Sequence, residues 1–219
     1  MSTTQARGPR WERRKESRPA ELLAAALEFF VERGYAATRL DEVAARAGVS
    51  KGTLYLYFPS KEDLFKAVVR ETIVPQIDEL RRSVDRADDD CAELLRSFFA
   101  QWWQRFGASR LGGIAKLIVA EAGNFPEVAR FFQEEVIEPH SELLVAIIER
   151  GIQRGEFAPV DARLAAQLWI APLALKAIWT NSMDALCPPE ARLAPERLLQ
   201  AHTEFVLAAL RPQPTGAAS

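Results

Sequence analysis

Residues 33–65 read RGYAATRLDEVAARAGVSKGTLYLYFPSKEDLF, and this window decides the fold. Leu40, Val43, Ala44 and Ala47 recur at the i, i+3, i+4, i+7 spacing of one apolar helix face. Thr38 stands before them as a predicted N-cap, with Asp41 three residues on, close to a capping-box spacing. Gly48 ends that helix, because the residue past a helix C-terminus commonly needs a left-handed backbone. Ser50 is the next cap, and the helix over residues 51–57 turns Leu54 and Phe58 inward. Gly52, Thr53 and Leu56 project on the opposite side, with Lys51, Tyr55 and Tyr57 at the flanks. Pro59 disfavours helical geometry at Phe58, and Ser60 with Asp63 caps a further helix.

Two helices joined by a turn of about four residues have helix-turn-helix form, whose second helix can enter a DNA major groove by its N-terminus. Gly52 would let a duplex approach the backbone closely. Lys51 can reach guanine acceptors or phosphate, and Thr53 can offer a hydroxyl and a methyl to base edges. Tyr55 and Tyr57 supply further hydroxyls, and Lys61 an ammonium that could hold a phosphate in register. A helical hairpin packed inside a core shares the same alternation. The paired tyrosines before Phe-Pro-Ser-Lys favour a displayed face, since exposed aromatics need a reason.

The segments Gly34-Tyr35-Ala36-Ala37-Thr38, Ala47 to Tyr55 and Tyr57 to Leu64 together resemble the tetracycline-repressor (TetR) family of bacterial transcriptional regulators, over roughly residues 18–66. The resemblance implies an all-α homodimer with an N-terminal helix-turn-helix head and a C-terminal helical-bundle body for ligand binding and dimerisation. It also implies DNA-facing positions at Thr38, Lys51, Gly52, Thr53, Tyr55, Tyr57 and Lys61, with Ser50 completing the set. Many members carry an aromatic where this chain has Leu56 and a histidine where it has Tyr57. That departure bears on which operator is read rather than on DNA binding itself.

Charge supports a two-part chain. Residues 1–66 hold 12 Lys and Arg against 9 Asp and Glu, a net of +3, and the remainder holds 16 against 21, a net of −5. A positive head on a negative body is expected if one end meets phosphate. The organisation predicted is a flexible basic arm over 1–17, a DNA-binding domain over 18–66, a ligand-binding and dimerisation domain over 67–211, and a disordered tail over 212–219. In the arm, Arg7, Arg10, Arg13, Arg14, Lys15 and Arg18 could touch DNA backbone or minor groove, or form a solvated tail. With an Arg-rich, polar start, no apolar run approaching the about 20 residues of a membrane span, and two cysteines, a cytoplasmic protein is expected.

Beyond the window the apolar periodicity predicts a first helix over 20–33 and a long one over 61–85 that Pro75 should kink or divide. Further helices are expected over 91–106, 111–122, 127–137 and 139–153, and two apolar segments over 161–183 and 195–210. On the last two, Leu164, Leu168, Ile178, Trp179, Leu198, Phe205 and Val206 suit a dimer interface, or burial in a larger monomer core. The aromatics Trp102, Trp103, Phe106, Phe131 and Trp169 suggest an apolar ligand pocket. Glu121 and Asn124, with Gln101, His140 and Lys176, are candidate polar groups to orient its occupant. Only two histidines are present, with no cysteine at metal-ligand spacing and no nucleophile–base arrangement, so neither an enzyme, a cofactor nor a metal is expected. The function expected is a repressor released from a palindromic operator by a small apolar effector. The alternatives are a DNA-binding factor without an effector and a helical interaction module that no longer binds DNA.

Overall fold

The computed structural model describes residues 10–86, 90–188, 190 and 192–212, with side chains from Arg18 onward. Among these residues the secondary structure is helical throughout, with no strand. The chain divides into two compact units after Val69.

The head comprises α1 (Arg10–Ala37), α2 (Leu40–Arg46), α3 (Lys51–Tyr57) and most of α4 (Lys61–Thr72). Its α1 starts ten residues before the expected Ala20. The run 10–18 is rich in good helix formers, which carry the helix through Pro19. The expected arm is therefore helical from Arg10. Its side chains before Arg18, and residues 1–9, lie outside the described residues. At the other end Gly34, with φ 84°, breaks the helix in a region that side chains resist. The break folds Tyr35 back against Phe30, 5.8 Å between ring centroids, and Phe65 meets both rings edge-on. These rings, with Leu22, Val43 and Leu54, form the head's core.

Helix α2 ends as its sequence requires. Gly48 has φ 68°, its N–H donates to Ala45 O, and the Val49 N–H donates to Ala44 O. These two bonds are the Schellman closure. Ser50 Oγ accepts from the Thr53 N–H at 3.1 Å and starts α3. Ser60 Oγ accepts from the Asp63 N–H at 3.0 Å and starts α4. Thr38, however, is not the cap of α2. Arg39 occupies that position without a side-chain cap, and the Thr38 hydroxyl instead donates to Gly34 O at 2.7 Å. The carbonyl left over by the Gly34 break attracts it.

The body begins with the end of α4. The expected helix over 61–85 is two helices, α4 and α5 (Val74–Arg86), separated at Ile73; Pro75 lies in the first turn of α5, where its missing N–H costs nothing. Asp90 caps α6 (Cys91–Trp102) through the Glu93 N–H at 2.7 Å. A π-helical turn over Trp103–Gly107 follows, and then α7 (Gly112–Glu121) and α8 (Pro126–Phe132). A second π-helical turn, Gln133–Ile137, leads into α9 (Glu138–Gln153). Pro139 near the start of α9 lacks an N–H, and its ring would crowd the carbonyl four residues back; the wider turn relieves this. Helices α10 (Ala162–Thr180) and α11 (Pro195–Leu210) complete the unit. Its core is formed by residues such as Leu95, Phe98, Phe99, Leu144, Ile147 and Leu173 on α6, α9 and α10. The tail expected over 212–219 lies outside the described residues beyond Gln213's predecessor, Pro212.

Candidate nucleic-acid interface and ligand cavity

Within the head, α3 buries one side and displays the other. Leu54 and Phe58 are buried, Thr53 and Tyr57 are half-buried, and Lys51, Gly52, Tyr55 and Leu56 are exposed. Leu56 is 86% exposed, far from the expected fate of a leucine on a helix with only internal work to do. The Lys51 ammonium lies 5.9 Å from the centre of the Tyr55 ring. A Cβ added at Gly52 would meet nothing nearer than Ser50 Oγ at 3.8 Å. Glycine inside a helix costs about 1 kcal/mol relative to alanine, and nothing within the head requires it here.

Two expected contacts are corrected. Thr38 is 2% exposed and its hydroxyl is committed to Gly34 O, so its side chain has no free donor for a phosphate. The Lys61 ammonium donates to three carbonyls, Tyr35 O at 2.8 Å, Ala36 O at 3.0 Å and Thr38 O at 3.2 Å. It also lies 4.7 Å from the Tyr35 ring centre. Lys61 therefore fastens the α1–α2 connection rather than presenting a free charge. Burial, with Glu62 and Asp63 nearby, pushes the Tyr35 phenol up to about 12, so that ring stays neutral. Ser50 is exposed, but its oxygen is used in capping α3.

The body contains a cavity of about 540 Å³. This lies within the 300–1,000 Å³ usual for small-molecule sites. Its walls come from the α4–α5 junction, α6, α7, both π-helical turns, α9 and α10, and most of the lining is apolar. Wide helical turns of this kind recur at functional sites. Gly107 closes the first of them: a Cβ there would run into the Trp103 ring, which packs flat over it.

Trp102 and Phe106 line the cavity as expected, but Trp103, Glu121, Asn124, Phe131 and Trp169 do not. Trp103 lies about 100° round the helix from Trp102 and turns inward onto Gly107. Phe131 is buried under the Arg70 guanidinium, 5.0 Å from its ring centre, while its neighbour Phe132 faces the cavity. Asn124 is exposed, and Trp169 is buried. Lys176 is buried but bound to Asp184 at 3.0 Å, and the Gln101 amide donates to Ser97 Oγ at 2.9 Å. His140 does line the cavity. Ile118, Gln133 and Val136, which sequence reading passed over, line it as well. Only the helical phase of the π-helical turns places the last two, and a regular 3.6-residue period misreads that phase.

An ion pair joins the second π-helical turn, three of whose residues line the cavity, to the last turn of α4. Arg70 Nη2 lies 2.8 Å from Glu135 Oε1, within the second π-helical turn. On the body's outer surface Leu164, Leu168, Leu175 and Trp179 are exposed along one face of α10, and Phe205 on α11 is 75% exposed. Two expected interface residues are corrected: Val206 is wholly buried in its own subunit, and Ile178 is half-buried and lines the cavity. Leu198 is half-buried.

Comparison with known proteins agrees with this architecture. Residues 22–68 match the model for bacterial regulatory proteins of the tetR family, and residues 89–186 match that for the tetracyclin repressor-like C-terminal domain. The chain belongs to the TetR family. A similar protein is the fatty acid metabolism regulator protein of Bacillus subtilis (strain 168), 26% identical over 157 residues, 70% of this chain and 79% of that one. Among solved structures, the transcriptional regulator FadR from Bacillus subtilis in complex with stearoyl-CoA superposes with a TM-score of 0.73. That match covers 88% of this chain and 99% of that one at 22% identity, a likeness of fold. The flavonoid-responsive regulator FrrA superposes with a TM-score of 0.60 at 29% identity, covering 91% of this chain and all of that one. As a TetR-family regulator the chain is all-α, with a helix-turn-helix head and a helical body. Among the described residues no helix is long and apolar enough to cross a membrane, and no cluster of three or more His, Cys, Asp or Glu could hold a metal.

Proposed function

We propose that this regulator is a homodimeric repressor that leaves a near-palindromic operator when a small, largely apolar effector enters the body. The observation that carries the DNA half is the displayed face of α3, with Lys51, Tyr55 and Leu56 around an unobstructed Gly52. Lys51 would hold a phosphate or guanine, Tyr55 and Tyr57 would reach backbone and base edges, and Thr53 would complete the set. The exposed row Leu164, Leu168, Leu175 and Trp179, with Phe205, supports a second copy as partner. A two-fold dimer would read a two-fold site.

The effector half rests on the cavity. An effector shifts the equilibrium only by binding the DNA-incompetent state more tightly. Helix α4 is the covalent connection between the two units, and Arg70 at its end is paired with Glu135 in the π-helical turn whose Gln133, Val136 and Ile137 line the cavity. An effector that moves the Gln133–Ile137 turn would act on α4 through that pair. Coupling of about 1–3 kcal/mol gives a roughly 5- to 150-fold change in DNA affinity. The test is selection of bound sequences from random duplexes, followed by titration of apolar compounds against the complex. Recovery of a palindromic site released by one of them is expected. Failure to enrich any sequence would overturn the reading. A regulator without an effector is disfavoured by the size of the cavity, and a head without DNA by the open face of α3.

A further inference from the structure

Among the described side chains of the head, the only large apolar ones exposed are two neighbours on α3, Tyr55 at 43% and Leu56 at 86%. Tyr55 has polar company, with the Lys51 ammonium 5.9 Å from its ring centre. Leu56 carries no hydrogen-bonding group and packs against little of its own subunit. One turn before it on the same side of the helix stand Gly52 and Thr53, at i−4 and i−3. Thr53 Oγ1 lies 2.9 Å from Ser50 Oγ, which also accepts from the Thr53 N–H, so both hydroxyls are tied to the start of the helix. Helical side chains lean toward the N-terminus, which carries Leu56 toward the turn that holds Gly52. Leu56 stops short of filling the space there: a Cβ added at Gly52 has only Ser50 Oγ within 4 Å, at 3.8 Å. The middle of the displayed face is thus an apolar ledge beside a gap, with the hydrogen-bonding groups of Lys51, Tyr55 and Tyr57 at its flanks.

An apolar ledge cannot read donors or acceptors. On the major-groove edges of the base pairs the one apolar group is the C5-methyl of thymine. A leucine pressed on the polar edges of adenine, guanine or cytosine would strip them of water without replacing a hydrogen bond. The thymine methyl gains from the same contact. A protein partner needs about 800 Å² per side, far more than a single leucine offers.

We infer that Leu56 is a specificity-determining residue of this regulator: it selects a thymine in each operator half-site by packing against the C5-methyl beside the open backbone at Gly52. This rests on the reading of α3 as the DNA-contacting helix and deepens it, because it names a base and the group on that base that is read. The division of labour follows from the chemistry of the face. Lys51 and the two tyrosines hold the duplex and meet polar atoms, and Leu56 rejects any base that lacks the methyl.

The test uses the full chain and a duplex recovered by selection from random sequences, with each thymine in turn replaced by deoxyuridine in both half-sites. Deoxyuridine lacks only the C5-methyl and keeps the pairing edge and the O4 acceptor. At one thymine the replacement is expected to weaken binding by the unaltered protein about fourfold per half-site, the value of burying one methyl group. Leu56→Ala should bind the thymine duplex more weakly, and in it the replacement at that position should cost nothing. Leu56→Gln, a good helix former with a polar end, should lose the penalty as well, so the outcome does not hang on one variant folding. Equal penalties in the unaltered protein and both variants at every thymine, or selected half-sites without thymine, would overturn the inference and leave the DNA reading in place. If no duplex were enriched, both would fall together.

Discussion

The head and the body use their aromatic residues in opposite ways. In the head, Phe30, Tyr35 and Phe65 are closed on one another, and Lys61 seals the surrounding carbonyls, so what remains for function is the outside of one seven-residue helix. In the body, Trp102, Phe106 and Phe132 stand around a hollow. The difference teaches where each unit can tolerate change: the head at its surface but not its core, the body along its walls but not at the turns that set their phase.

The sharpest way to separate the units is to damage one core. Leu54 is fully buried under α3, so Leu54→Ala should destabilise the head by about 2–5 kcal/mol. Far-UV circular dichroism should then show loss of a minor part of the helix signal at low temperature, while the body keeps its own transition. A single transition involving the whole chain would show that the units do not unfold separately.

Acid should weaken the body selectively. His140 is held down to about 4 against an ordinary value near 6.5, and burial depresses His202 in the same direction. Below pH 6.5 the unfolded chain takes up a proton that the folded chain refuses, so stability falls as pH drops toward 4. For His140 alone the loss is about 2 kcal/mol at pH 5. His140→Phe should flatten the fall in Tm between pH 7 and pH 5. An unchanged slope would place the acid sensitivity elsewhere.

Gly52→Ala sets stability against function in the head. It should stabilise α3 by up to about 1 kcal/mol, because its Cβ meets open space, and weaken DNA binding through that same Cβ. Melting and binding would then move in opposite directions. If both improved, the glycine would not be serving the duplex. The smallest change in stability belongs to Arg70→Ala. An exposed ion pair contributes about 0–1 kcal/mol, yet removing this one should leave effector binding intact and reduce operator release. Full release in the variant would rule out the Arg70–Glu135 route.

The comparison also explains what the sequence made legible. Caps and turns in the head were readable because they are local: Gly48, Ser50 and Ser60 each act on residues within a few positions. The inward and outward faces of α3 followed from spacing alone. Lys61 was misread because the carbonyls that hold it lie more than twenty residues away, and only the break at Gly34 turns them toward it. The cavity was legible as a concentration of aromatics but not as a set of walls. On α8 it is Phe132 rather than Phe131 that reaches the hollow, and the π-helical turn that follows adds Gln133 and Val136. The exposed apolar row on α10 followed from its lack of a polar face, while Val206 was misplaced because α11 buries one apolar side against the rest of the body.

The central claim is that the exposed face of α3 is the DNA-reading surface. Fluorescence anisotropy with a duplex recovered by selection tests it directly, comparing the unaltered chain with Lys51→Ala and Tyr55→Ala at one salt concentration. Each variant is expected to bind about tenfold or more weakly while keeping its helix signal and its response to apolar ligands. Undiminished binding by both variants would contradict the claim.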